Sequence, residues 1–279
     1  MQRRRLVGTI AAWLAWPVPS LAQQRRSLVD PMRLGVDRAL FDSGLAPALQ
    51  RGFGRDTGIA VKVIPGPAQA LLQALERGEL DAALTNAPRL EAQFEMQGFV
   101  HERAVVASSE FILVGPLLKA ATKVKAKAKP RDPAGIVGAA DAAAALRTLR
   151  DAAGTDETIR FLSANDGSGT HLAEQALWRS AQVAPQAPWY ANANGSESLS
   201  RRARQVGAYA LVERGVWAAL GGAPLGVLIQ DDPSLRLPVH FMRGFRNNHP
   251  AAKFFSKWIT GPKGRAIVAA QRGYRVPSL

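Results

Sequence analysis

The sequence predicts an α/β fold made of two units, one inserted into the other. Three observations carry the prediction. Short apolar segments with strand character alternate with segments whose apolar residues share one helical face. Glycine, proline and small polar residues separate these segments at short intervals. The order of segments makes the middle of the chain a second α/β unit inside the first, with 111–116 and 235–242 as the two crossing strands. One lobe is then 29–114 with 236–279. The other is 115–235, carrying a basic loop at 117–131. A ligand would sit in the cleft between lobes, where loops after strands meet helix N-termini.

The elements follow in order. MRLGV is a short apolar strand. Asp42-Ser43-Gly44 precedes Leu45, Leu49 and Phe53, which share a helical face, so Asp42 or Ser43 is the expected cap. Pro47 is tolerated in that first turn, and Thr57-Gly58 ends the helix. IAVKVI, 59–64, alternates as a strand and is broken by Pro65-Gly66-Pro67. AQALLQALERG is a helix stopped at Gly78, DAALTN (81–86) a strand, and RLEAQFEMQG a helix ending at Gly98. FILVGP, 111–116, is a strong strand. Asp132-Pro133-Ala134-Gly135 turns the chain, and a helix runs from Asp141 to Gly154. TIRFLS (158–163) is a strand, followed by the loop SANDGSGTH and a helix with Leu172, Ala173, Ala176 and Leu177 facing inward. AYALV (208–212), LGVLIQ (225–230) and LRLPVHFM (235–242) are extended, and HPAAKFFSKWITG and PKGRAIVAAQRGY are helical.

The chain has 279 residues, 47% apolar and 21% charged, enough for a sizeable core. Arg3, Arg4 and Arg5, the apolar stretch Leu6 to Trp16 and the small-residue site Ser20-Leu21-Ala22 read as an export leader over residues 1–22. Its apolar stretch is too short to span a bilayer. There is no cysteine, so neither disulfides nor cysteine lipidation enter, and a periplasmic location is expected. The net charge of +14 invites a nucleic-acid partner, but the leader argues against one. Much of the excess sits in KAATKVKAKAKPR, with Lys119, Lys123, Lys125, Lys127, Lys129 and Arg131. Such a run reads as a solvated loop, the alternative being docking to an anionic membrane or partner.

The fragments DSGLAPALQRGFGRDTGIAVKVI, DAALTNAPRLEAQF, FILVGP, DPAGI, SGTHLAEQALW, PWY and GAYALVERGVW stand in one order and spacing. In that order the chain resembles the tungstate-type receptors of ABC importers, from about Leu34 to its C-terminus. The resemblance implies a type II periplasmic-binding-protein fold, two α/β lobes joined by two crossover strands. It also implies a monomeric periplasmic binding protein, not an enzyme and with no cofactor or metal. Such a protein closes on a small oxyanion and presents it to a membrane permease.

The ligand residues implied by the resemblance are altered. Where members carry a row of hydroxyls, this chain has Val36, Asp37, Arg38 and Ala39. A second family loop, rich in glycine, corresponds to Pro67, Ala68 and Gln69, and the family's histidine before Ala-Pro is Asn86. In the second lobe the matching loop is Ser163, Ala164, Asn165, Asp166, Gly167, Ser168, Gly169, Thr170 and His171, and the family's oxyanion-pairing arginine is Ala164. The candidate ligand contacts are thus Asp37, Arg38, Ala39 and Asn86, with Ser163, Ala164 and Asn165, and with Gly167, Ser168, Gly169 and Thr170. The glycine-rich helix start at 167–170 and the helix start near Asp42 to Gly44 remain as anion-friendly features. Asp37 repels an anion at short range. Arg38 could replace the lost arginine or pair with Asp37.

Other signals are weaker. Ser168 and His171 suggest a hydrolase, but GSG is not the nucleophile elbow. His171 and Glu174 have metal-ligand spacing without further partners. Trp189 and Tyr190 suit a cleft wall or a packed core. The leading expectation is a periplasmic solute-binding protein of an ABC importer that takes a small, anionic ligand. The alternative is a sensory or interaction protein that has kept the scaffold and lost oxyanion binding.

Overall fold

The computed structural model describes residues 29–118, 131–193 and 198–277. The expected leader, most of the basic run and residues 194–197 lie outside the described residues.

The first lobe opens with β1 (Met32–Asp37), α1 (Arg38–Asp42), α2 (Leu45–Thr57), β2 (Val61–Gly66), α3 (Ala68–Glu76), β3 (Ala82–Thr85) and α4 (Pro88–Met96). The long strand β4 (Val100–Pro116) then carries the chain into the second lobe. That lobe contains α5 (Ala142–Ala153), β5 (Phe161–Ser163), α6 (Gly169–Ser180), β6 (Tyr190–Asn192), α7 (Leu199–Val206), β7 (Ala210–Glu213), α8 (Arg214–Leu220) and β8 (Leu225–Ile229). Strand β9 (Arg236–Gly244) returns to the first lobe, which closes with α9 (Pro250–Thr260) and α10 (Pro262–Ala270).

The principal sheet runs β2-β1-β3-β9-β4-β7, with β8 also on β4. β1 is parallel to both β2 and β3, as alternating strands and helices require. β9 is antiparallel to β3 and β4. β4 serves both lobes: Val100 to Glu110 pairs with β9, whereas Phe111 to Pro116 pairs with β7 and β8. β4 and β9 are therefore the two crossover strands. On β9, Leu237 packs in a second-lobe cluster and Val239 in a first-lobe cluster, so the change of lobe takes about one pleat.

Both faces of each lobe's sheet are covered, which is why the strands read as nearly continuous apolar runs. In the first lobe Leu34, Val36 and Leu84 face α2 and α9 through Leu49, Phe53 and Phe255, while Ala83 and Met242 face Leu72 and Leu75 of α3. In the second lobe Phe111, Leu113 and Leu211 meet Leu146, Leu149 and Trp178, while Ile112, Val114 and Val212 meet Ala203 and Val216. This two-residue alternation gives two cores on opposite faces in each lobe.

Several local expectations are corrected. Asp42 and Ser43 do not cap α2. Asp42 ends α1, and the N-cap of α2 is Gly44 at φ +85, where a side chain would be strained. Pro65 and Gly66 do not break the second strand but continue it opposite Val36 and Asp37. The first half of β4 lacks clean alternation because its register shifts between His101 and Ala104 and between Val105 and Ala107. Helix α7 has only Ser200 and Ala203 buried, so its segment carries too little apolar signal to be read as a helix.

Candidate functional site

Asp37 ends β1 and is 0% exposed. Its Oδ1 accepts from the Ala39 amide at 3.1 Å, which caps α1. Its Oδ2 accepts from the Gly169 amide at 2.9 Å, across the seam between lobes. Gly169 is the first residue of α6, and the Ser168 hydroxyl caps that helix by accepting from the His171 amide at 3.3 Å. The carboxylate thus meets the amide-rich positive end of a twelve-residue helix. A second seam contact lies alongside: the Gln69 amide of the first lobe donates to the Gly167 carbonyl at 3.1 Å. Both glycines are needed here. A Cβ on Gly169 would stand 1.8 Å from Asn86 Oδ1 and 2.9 Å from the Asn86 carbonyl, and Gly167 has φ +76 beside Gln69.

Burial pushes the Asp37 carboxyl up to about 6. The amides of Gly169, Ala39 and Ala68 pull it back down, and the nearby Asp166 charge adds to the rise. At neutral pH the group is therefore mainly ionised.

A cavity of about 100 Å³ opens beside this carboxylate. Asp37, Arg38 and Ala39 line it from the first lobe, and Ala164, Ser168 and Thr170 from the second. Asp42, Asp166, Ser198, Ser200 and Glu213 extend the wall. Glu213 is 1% exposed and accepts from the Tyr274 hydroxyl. Burial, with the Asp37 charge adding, pushes its carboxyl up to about 8, so it is mostly protonated at neutral pH. Among the described residues, Glu213 Oε2 and Ser200 Oγ have no hydrogen-bond partner. Arg38 is exposed at the cavity edge. Its charge, with that of Arg201, opposes the rise that burial gives the Asp42 carboxyl. Asp37 bonds to backbone amides and not to Arg38, so of the two alternatives for Arg38 the pair with Asp37 does not form.

The remaining expected positions divide. Asn86 lies against Gly169 on the wall of a second crevice, of about 370 Å³, and is 1% exposed. Ser163 is fully buried and its Oγ accepts from the Asn165 amide at 3.2 Å. Asn165 itself is exposed at φ +44, and neither residue lines the 100 Å³ cavity. The helix start near Asp42 to Gly44 is not the one that meets the cavity; the start of α6 is.

The weaker signals resolve into structure. His171 Nδ1 accepts from the Gly167 amide at 3.1 Å, and Nε2 lies 2.9 Å from the Gln175 amide group. Burial lowers the pKa of the ring, and the nearby Asp166 charge opposes that shift. Both ring nitrogens are occupied, and the Ser168 hydroxyl serves the helix cap, so no nucleophile–base bond forms. Glu174 is bonded by the Tyr190 hydroxyl at 2.6 Å and the Trp178 indole at 3.3 Å. Tyr190 stacks on Phe161, and Trp189 and Tyr190 both meet Trp178 edge to face in the second-lobe core. Among the described residues no cluster of histidine and acidic side chains could hold a metal ion, and no helix is long and apolar enough to cross a membrane. Glu213 and Ser200 escaped the sequence reading. The available signal for Glu213 was an acid closing the apolar strand ALVE just before a helix.

Known proteins share this architecture. A profile described as the PBP superfamily domain matches residues 38–261. The tungstate-binding protein TupA of Peptoclostridium acidaminophilum is 30% identical over 242 residues, covering 84% of this chain and 79% of that protein. The tungstate-binding protein TupA of Campylobacter jejuni is 24% identical over 240 residues, 82% of each. A crystal structure of the tungstate ABC transporter from Geobacter sulfurreducens superposes with a TM-score of 0.70 at 30% identity, covering 86% of this chain and 98% of the other. With the profile spanning most of the chain and two lobes joined by β4 and β9, the protein belongs to the PBP superfamily domain family.

Proposed function

We propose that this protein is the periplasmic solute-binding component of an ABC importer, capturing one small polar solute between its lobes. The observation that carries the reading is the cavity at the α6 start, lined from both lobes, in a chain related along most of its length to tungstate-binding proteins. Only a guest that touches both walls can favour closure about β4 and β9, and the walls at Asp37–Ala39 and at Ala164, Asp166, Ser168 and Thr170 meet that condition. The leader and the membrane permease belong to the same reading: an exported receptor hands its solute to a membrane partner. The protein is not an enzyme.

An oxyanion of the relatives' kind is supported by the positive end of α6. Opposed to it are the Asp37 carboxylate on the Gly169 amide and alanine at 164 in place of a guanidinium. That opposition also favours the second reading, a sensory or interaction protein that no longer transports.

Thermal unfolding of the purified protein against tungstate, molybdate, phosphate, sulfate, organic acids, amino acids and small amines tests the proposal. A solute present at about 100 times its Kd should add roughly 2.7 kcal/mol of stability. No shift with any solute would favour the second reading.

A further inference from the structure

We propose that Asp37 is a built-in anion: its carboxylate fills the place at the α6 N-terminus where a captured oxyanion would sit, and so makes the protein reject free oxyanions. The inference rests on the reading of the seam cavity as the capture site. It names the residue that sets which solutes enter.

The geometry supports it on four counts. First, the carboxylate already takes what an oxyanion would take. Oδ2 holds the Gly169 amide at 2.9 Å and Oδ1 the Ala39 amide at 3.1 Å, one from each lobe. A second negative group at the same donors would meet an ionised carboxylate at van der Waals distance. Second, the first lobe leaves no room for a further group at Gly169: Asn86, 1% exposed, lies against that glycine on the wall of the other crevice.

Third, among the described residues no cation contacts Asp37. Its contacts are backbone amides; Arg38 is exposed and acts on Asp42 instead, and position 164 is alanine. Fourth, two more aspartates, Asp42 and Asp166, line the cavity. A tetrahedral dianion entering here would find one guanidinium at the rim and three aspartates around it. Side-chain length matters too. Aspartate at the end of β1 reaches both amides, whereas serine in its place would leave the Gly169 amide free and add a hydroxyl donor.

The test uses the mature protein, the D37S and D37N variants, and sodium tungstate and sodium sulfate as probes in calorimetric titration at neutral pH. The wild type should show no tungstate binding tighter than about 1 mM. D37S should bind tungstate at least roughly 100-fold more tightly, because a repelling charge is replaced by a donor. D37N keeps the side-chain shape and removes only the charge, so it should gain less than D37S and more than nothing. It also serves if D37S folds poorly by circular dichroism. Wild-type tungstate or sulfate binding as tight as that of D37S would overturn the proposal, and so would two folded variants that bind neither anion. If the wild type takes an uncharged or cationic solute while D37S gains no oxyanion, the capture reading stands and this inference fails. If D37S gains tungstate while the wild type takes no solute, the reverse holds.

Discussion

The Asp37 carboxylate of the first lobe accepts the Gly169 amide of the second lobe at 2.9 Å, so a side chain of one lobe terminates a helix of the other. This bond decides how the crevice is read. It joins the lobes beside the cavity, and it does so with a negative charge belonging to the protein.

The pH dependence of stability should report that charge. The Asp37 carboxyl is raised from an ordinary value of 3.8 to about 6 in the folded protein. Between those values the folded state holds the proton that the unfolded state has released. Stability from this group therefore falls as pH rises from about 4 to about 6, by roughly 1.4 kcal/mol per pH unit at most, and is level above. D37N should remove that slope. Urea unfolding from pH 4 to 7 for both proteins checks it; identical slopes would show that Asp37 is solvated.

Glu213 should act at higher pH. Burial raises its carboxyl from 4.5 to about 8, and the protonated form is the folded one. The contribution again falls as pH rises, through neutrality, until the folded group ionises near 8. E213Q should therefore flatten the loss of melting temperature between pH 6 and about 8. A variant whose melting temperature follows the wild type across that range would refute the assignment.

Gly169 should tolerate no side chain. A Cβ would overlap both the Asn86 side chain and its carbonyl oxygen. G169A should push the α6 start away from the first lobe at a cost of about 1–3 kcal/mol to the closed form. Small-angle scattering should give a larger radius of gyration than the wild type, with near-wild-type circular dichroism. An unchanged radius would mean that the seam is not closed in solution.

Tyr209 should fasten the segment that follows the basic run. Its buried hydroxyl donates to Asp132 at 2.8 Å and accepts from the Ala134 amide at 2.8 Å. Y209F leaves both partners without it and should cost about 1–3 kcal/mol by urea unfolding. A loss under a few tenths of a kcal/mol would show that water replaces the hydroxyl.

The sequence by itself determined the α/β class and a fold of two lobes joined by two crossover strands. It could do so because strand and helix periods are local and the apolar residues of segments such as Leu45, Leu49 and Phe53 repeat within one element. It also brought Asp37, Arg38, Ala39 and the 163–170 loop forward as site candidates. Only the tertiary structure decided their roles. Asp37 becomes an internal anion because β1 ends opposite the α6 start, 132 residues away along the chain. Asn165, a neighbour in the same loop, is turned outward by a single positive φ. Glu213 and Ser200 stayed hidden because a buried acid or hydroxyl takes its meaning from what folds over it. Hydrogen bonds and like-charge contacts act over a few ångströms of space, and one sequence carries no measure of that distance between remote segments.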